Sequence, residues 1–273
     1  MKAVTNYLKK IIVFLGHFGE GKQPIPFATA FLVSVNTVFY LITAKHVVLD
    51  EKSKEIKDNE LYAFYNVFTP GRPYWRDLGS FRRVHKFEWI FHSNPEVDIA
   101  MLPFPIEPEI DALAIPDKLI GGESDLFELN DIFFLSYQPG VTLDSISPVF
   151  RSGTISRLNR NNSFFIDAAA FPGNSGSPVF TKPLVVRNGK KLEETKIVGG
   201  KFIGVISSTI PYQEVAISEQ TGRARVIFEE NTGLSLVWRA DFIMEIQKSE
   251  AFKRQLTMIE EEEKNKLKRT RIP

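Results

Sequence analysis

The chain has 273 residues, 43% of them hydrophobic and 25% charged, with a formal net charge of +1. That length can bury a sizeable core in one large or two small domains, and the near-neutral balance gives no global field for nucleic acid or an anionic membrane. There is no cysteine, which excludes disulfides, zinc–thiolate sites and a cysteine nucleophile and favours a reducing compartment.

Near the start, Lys9-Lys10 followed by Ile11 to Leu15 has the basic and apolar parts of an export signal. The apolar run is short, and His17 and Glu20 follow closely. Removing residues through Ala30 would strip the chain ahead of His46. Ile11 to Gly16 is therefore predicted as the first strand, and the expected location is cytoplasmic, with export as the alternative. No stretch reaches the ~20 apolar residues of a membrane span.

Phe27 to Val35 is apolar and β-branched, and Val38 to Ile42 follows the turn-like Asn36-Thr37. Leu61 to Phe68, Phe81 to His85 and Ile99 to Phe104 continue the strand pattern, while the charged Leu49 to Glu60 reads as a surface loop or short helix. Pro103, Pro105, Pro108 and Pro116 punctuate a linker between two halves. The second half repeats the texture with Asp131 to Tyr137, Val149 to Leu158, Phe164 to Ala168, Val179 to Phe180, Lys196 to Ser208 and Val226 to Phe228. Turn signals lie at Gln138-Pro139-Gly140, at Asn159 to Asn162 and at Asn188-Gly189. The last of these tips an insertion, Lys182 to Thr195, predicted as a protruding hairpin. From Asp241 to Lys268 the period changes, with Phe242, Ile243, Ile246, Phe252, Leu256 and Ile259 at helical spacing behind a candidate cap, Asp241. Glu260 to Glu263 running into Lys264, Lys266 and Lys268 reads as a solvated helix end.

Chemistry concentrates in three strings. In Phe171-Pro172-Gly173-Asn174-Ser175-Gly176-Ser177-Pro178 a serine sits between two glycines. A serine hydroxyl needs a base to take its proton and N–H groups to stabilise the oxyanion that forms. Gly173 and Gly176 permit a sharp turn, which leaves the N–H groups of Gly173 and Ser175 as the candidate oxyanion hole. A candidate base, His46, stands in Thr43-Ala44-Lys45-His46-Val47, whereas His17, His85 and His92 lack such a context. A candidate acid, Asp98, opens Asp98-Ile99-Ala100-Met101-Leu102, with Glu96 as its rival. The order His46, Asp98, Ser175 is that of chymotrypsin-type enzymes, not of subtilisin-like or α/β-hydrolase ones.

The longer string Phe165 to Pro178, with Asp167-Ala168-Ala169 ahead of the Pro172 to Gly176 turn, strongly resembles the nucleophile segment of chymotrypsin-fold (trypsin-like) serine proteases, closest to HtrA/Deg-type protease domains. Ala30-Phe31-Leu32-Val33 before the histidine string is similar to the same family's preceding strand. Ser177 departs from the glycine usual there, and no PDZ-like module is expected after Trp238, which departs from the HtrA plan and its peptide-sensing regulation.

The resemblance spans about Ile11 to Val237. It implies an all-β fold of two antiparallel six-stranded β-barrels, about 10–106 and 125–240 within a protease domain of 1–240, to which the helical spacing noted above adds a C-terminal helix and tail over 241–273. It implies a serine endopeptidase with catalytic His46, Asp98 and Ser175 in the cleft between barrels, and an S1 pocket near Ala169 and Ala170. Ser207, Ser208 and Thr209 would pair with the substrate. With no acid at the pocket floor, small or uncharged P1 residues and a restricted protein target are expected. No cofactor, metal, nucleic acid or membrane partner is expected, and an activating protein partner is left open. A catalytically silent binding or scaffold module is the alternative function, and an esterase a third.

In digestive-type members the position of Asn174 holds an aspartate that pairs with a freed N-terminus. Asparagine carries no charge for that pair, and Lys196 to Gly200 reads as strand rather than activation site, so activation by trimming is not expected. The oxyanion turn would be set instead by neighbouring loops such as Gln138-Pro139-Gly140 and Arg151-Ser152-Gly153, or by a partner.

Overall fold

Apolar, β-branched runs form strands because alternate residues can be buried against a second layer. The computed structural model describes residues 2–68, 74–140, 145–187, 195–198 and 200–270. The first half contains α1 (Lys2–Lys10), β1 (Ile12–Phe18), β2 (Pro24–Val35), β3 (Val38–Thr43), α2 (Lys45–Val48), β4 (Tyr62–Tyr65), β5 (Tyr74–Asp77), α3 (Leu78–His85), β6 (Ile90–Phe91), β7 (Ala100–Pro103) and β8 (Ile115–Pro116). Its strands form one sheet of eight in the order β5-β4-β1-β2-β3-β7-β6, with β8 added beside β2.

The second half contains β9 (Asp131–Ser136), β10 (Val149–Leu158), β11 (Ser163–Asp167), β12 (Pro178–Thr181), β13 (Leu184–Arg187), β14 (Thr195–Val198), β15 (Phe202–Ile217), β16 (Ala224–Arg239), α4 (Phe242–Gln247) and α5 (Glu250–Thr270). Six of these strands, β9 to β12 with β15 and β16, close into a barrel. The architecture is chymotrypsin-like and mostly β, with a C-terminal helix. The strand count differs in the first half, where the sheet has eight strands against the six expected.

Two apolar clusters underlie this arrangement. Ile132, Phe134, Ile155, Phe164, Ile166, Val179, Ile206 and Val237 fill the closed barrel. The larger cluster lies under the eight-stranded sheet and also takes in Phe242, Ile243, Phe252 and Ile259 of the C-terminal helices. Phe252 packs on Tyr40 of β3 at 5.2 Å between ring centres. Gln255 holds the backbone of Glu88 at both ends, accepting from its N–H at 3.0 Å and donating to its carbonyl at 2.8 Å. The end of the chain therefore straps the second half back onto the first.

Two local expectations are corrected. Phe81 to His85 lies in helix α3, not a strand. Asp77 caps it by accepting from the N–H of Ser80 at 2.9 Å, only one side is buried, and Lys86 at φ +57 ends it. Lys196 to Ser208 is not one strand but the end of β14 and the start of β15, separated around Gly200 at φ +75. Lys2 to Lys10, for which the sequence reading assigns no element, forms helix α1, tied down by Tyr7 donating to the carbonyl of Ala114 at 2.6 Å. The insertion after Lys182 does pair as β13 with β14, while its Asn188-Gly189 tip lies outside the described residues. Among the described residues no helix is long and apolar enough to cross a membrane.

Candidate active site

Strand register brings the first two candidate residues together. In the antiparallel β3–β7 pair Thr43 faces Ala100, so the residues just after β3 and just before β7 emerge at the same end. His46, in the first turn of α2, and Asp98 meet there. His46 Nδ1 lies 2.7 Å from Asp98 Oδ2, and the His46 backbone N–H donates to Asp98 Oδ1 at 2.8 Å. Both carboxylate oxygens are thus tied to one residue, which fixes the imidazole's orientation and leaves Nε2 directed elsewhere. Glu96 is exposed, with its N–H held by the side chain of Asn94 at 3.0 Å. It takes no part.

Asp98 is buried, and the hydroxyl of Ser207 donates to its Oδ2 at 2.5 Å. Burial pushes the Asp98 carboxyl up, but hydrogen bonds and charge from His46, with the bond from Ser207, outweigh it and hold the carboxyl below the usual range. The sign of the linkage follows. A folded-state value below the unfolded one contributes stability above the ordinary carboxylate value of about 3.9 and loses it as pH falls through the lowered value. Urea unfolding midpoints should therefore fall as pH drops below about 4, more steeply for the native chain than for Asp98→Asn. Parallel pH profiles for the two proteins would contradict this account.

Ser175 is fixed between the two halves of the molecule. Its carbonyl accepts from the N–H of Thr29 in β2 at 3.0 Å, and the N–H of Gly176 donates to the carbonyl of Ile206 in β15 at 2.7 Å. The chain passes so close here that a Cβ on Gly176 would lie 2.1 Å from the Thr29 carbonyl oxygen, at φ +84. Only glycine fits. Ser175 and His46 line one cleft of about 430 Å³, together with His17, Phe27, Lys57 and Leu61. The Ser175 hydroxyl donates to the carbonyl of Ser207 at 3.1 Å, and it makes no hydrogen bond to the His46 ring. In a site without substrate such a bond is commonly loose, and rotation about one side-chain torsion redirects the hydroxyl.

The turn before Ser175 has Pro172 and Gly173 at its centre, closed by the Asn174 N–H on the Phe171 carbonyl at 3.0 Å, with Gly173 at φ +98. Proline first and positive φ second is the type II pattern. The N–H groups of Gly173 and Ser175 have no acceptor among the described residues. They are the two groups that the sequence makes candidate oxyanion donors.

The contacts that set this turn are internal. Asn174, 1% exposed, accepts from the Phe171 N–H at 2.9 Å and donates to the Tyr137 carbonyl at 2.7 Å. Thr29 Oγ1 donates to the Gly173 carbonyl at 2.8 Å and accepts from the Tyr137 N–H at 2.9 Å. Arg151 lies over the Phe171 ring at 4.9 Å and donates to the side chain of Gln138. Arg151 reaches the turn from within strand β10 rather than from a loop, and the direct hydrogen bonds to the turn come from Thr29 and Tyr137, which the sequence reading misses. The available signal is Thr29 itself, one of two polar residues, with Ser34, in the run Phe27 to Val35.

Of the remaining predicted residues, Ser207 has hydrogen bonds to the site. A bulge between Ile206 and Ser208 takes Ser207 out of the β15–β16 ladder, turning its carbonyl to Ser175 and its hydroxyl to Asp98. Ser208 and Thr209 pair with Leu236 and Ser235. Ala170 is buried and Ala169 exposed, and Asn231, a residue the sequence reading missed, donates to the Ala170 carbonyl at 2.6 Å. Among the described residues no group of three or more His, Asp or Glu side chains is placed to hold a metal ion.

Comparison with known proteins bears on the fold and the family. The chain is similar in structure to the thermostable serine protease AL20 from an extremophilic microorganism, at a TM-score of 0.51 and 13% identity over 89% of this chain and 96% of that one. It is also matched to the serine endoprotease from Yersinia pestis, at a TM-score of 0.48 and 13% identity over 92% of this chain and 66% of that one. No curated protein matches it. The profile of the trypsin-like peptidase domain matches residues 28–183, more than half the chain and the part that holds His46, Asp98 and Ser175. The chain therefore belongs to the trypsin-like peptidase domain family and is a serine endopeptidase.

Proposed function

We propose that the protein cleaves a restricted set of protein targets through a His46–Asp98–Ser175 triad and an acyl-enzyme intermediate. The observation that carries this is the 2.7 Å contact of His46 Nδ1 with Asp98, in the same cleft as a serine flanked by two unpaired N–H groups. His46 Nε2 takes the proton of the Ser175 hydroxyl as Oγ forms a bond to the scissile carbonyl carbon. The resulting oxyanion accepts from the Gly173 and Ser175 N–H groups. His46 then gives the proton to the leaving amine as the C–N bond breaks, and water repeats the sequence to release the acyl group. Asp98 stays ionised throughout and stabilises the imidazolium.

Ala169, Ala170 and the Ser207 to Thr209 segment form the side of the site that receives the residue before the scissile bond. Two alanines without an acid favour a small or uncharged side chain there. A cytoplasmic setting belongs to the same proposal and rests on the cysteine-free sequence. The test is labelling of the intact protein with a fluorophosphonate, followed by peptide mass mapping. One adduct on Ser175, absent from His46→Ala, is expected. A protein that stays unlabelled under conditions where a known serine protease reacts would be a binding scaffold, not an enzyme.

A further inference from the structure

Beyond the barrel, β15 and β16 continue as an isolated ribbon. β12 pairs with β15 only through Val205, and β11 pairs with β16 only from Leu234 onward. Past those points, among the described residues, the two strands pair only with each other, from Pro211 opposite Asn231 to Ile217 opposite Ala224. Seven residues of strand extend about 20 Å. A two-stranded ribbon standing alone in water is marginal unless something covers it.

Its composition is unusual for a solvated arm. Val215 faces Ile227 on one side, and Ala216 faces Val226 on the other, where Phe228 also lies opposite Glu214. Val215 is 49% exposed, Ile227 63% and Phe228 57%. Two of the acids are engaged within the ribbon, since Tyr212 donates to Glu214 at 2.9 Å and Gln213 to Glu229 at 3.0 Å. What the arm offers a partner is therefore mainly apolar surface beside an unpaired strand edge.

That edge is continuous with Ser207 to Thr209, next to Ser175. A substrate pairing antiparallel to β15, with its scissile carbonyl at Ser175, runs toward its own N-terminus as β15 runs toward Ile217. We infer that the β15–β16 arm is a docking ledge for the substrate chain some four to ten residues upstream of the scissile bond, taken as an extended, apolar-rich strand. The inference rests on the peptidase reading above. Pro211 withholds one N–H from the edge, so beyond Thr209 the grip comes more from side chains than from ladder hydrogen bonds. The arm thereby selects unfolded or extended segments, since a folded target cannot present that much free strand.

The test uses nested peptides sharing one scissile bond, mapped from the protein's cleavage of unfolded casein, with one, three, six or nine residues upstream of it. For the native chain kcat/KM should climb at least about tenfold between three and nine upstream residues, the worth of one or two buried apolar side chains. The long-to-short ratio should fall to near one when residues 212–230 are replaced by a short glycine-containing turn. It should also fall in Val215→Glu/Ile227→Lys, which keeps a cross-strand pair if the shortened protein does not fold. Using a ratio within each protein cancels any general loss of activity. A native chain that labels with fluorophosphonate yet shows no gain with length overturns the inference while leaving the peptidase reading intact. A native dimer that becomes monomeric in Val215→Glu/Ile227→Lys would show the arm to be an interface between copies, and overturns it too. Absence of labelling in the native chain would remove both readings.

Discussion

Replacing either Ser175 or His46 with alanine should lower kcat/KM on a cleaved peptide by a factor of about a thousand or more, and the double variant should be scarcely worse. The reason is that they act as one unit. A hydroxyl without its base stays protonated, and a base without its nucleophile has no proton to take. His85→Ala and His92→Ala serve as controls, because their surroundings are structural. The His85 ring stacks on Phe87 at 5.4 Å, and His92 bonds to Glu245 at 2.9 Å while packing on Phe242. Both should keep activity within a few-fold of the native chain. Peptide hydrolysis by purified Ser175→Ala at the native rate, once a contaminating protease is excluded by mass spectrometry, would refute the nucleophile assignment.

The residues most legible in the sequence are those whose roles depend on local backbone. Pro172 and Gly173 specify a type II turn, Gly176 a close passage, and the apolar run ending at Thr43 a strand with His46 just beyond. Asp98 is less legible, with Glu96 two residues away as a rival, and its string points to it only through resemblance to the family. The residues that hold the site together were not legible. Thr29 reaches Gly173 across 144 positions and Tyr137 across 108, and no spacing rule relates them. Such contacts follow from how two barrel-like halves are pressed together, a tertiary choice that local propensity does not encode.

The fold divides in the same way. Val149 to Leu158 matches β10 residue for residue. The outer part of β16 was reduced to Val226 to Phe228. Arg225, Glu229 and Glu230 surround those three, and a ribbon wet on both faces has no buried side to impose alternation. Phe81 to His85 failed for a different reason. Its aromatic and β-branched residues favour a strand, yet the Asp77 cap three residues before Ser80 starts a helix, and Val84 ends up 76% exposed.

The oxyanion turn yields the second large effect. Asn174→Asp should cut fluorophosphonate labelling by about a hundredfold or more, the size of effect seen when one oxyanion donor is lost. Aspartate keeps the acceptor for the Phe171 N–H but removes the donor to the Tyr137 carbonyl, and it sets a carboxylate against that oxygen in a site 1% exposed. The turn should then relax and swing the Gly173 N–H out of position. A freed amine is not available to rescue it. The strand that follows α1 begins at Ile12, and α1 is anchored by Tyr7 on Ala114 and Lys10 on Asp111, the latter at 2.5 Å. Trimming the native chain ahead of Ile11 should accordingly leave labelling no faster than in the chain that starts at Met1, and trimming Asn174→Asp should not restore it. Labelling of the native chain that appears only after trimming would mean that a new N-terminus builds the turn, and that Asn174, Thr29 and Tyr137 do not hold it unaided.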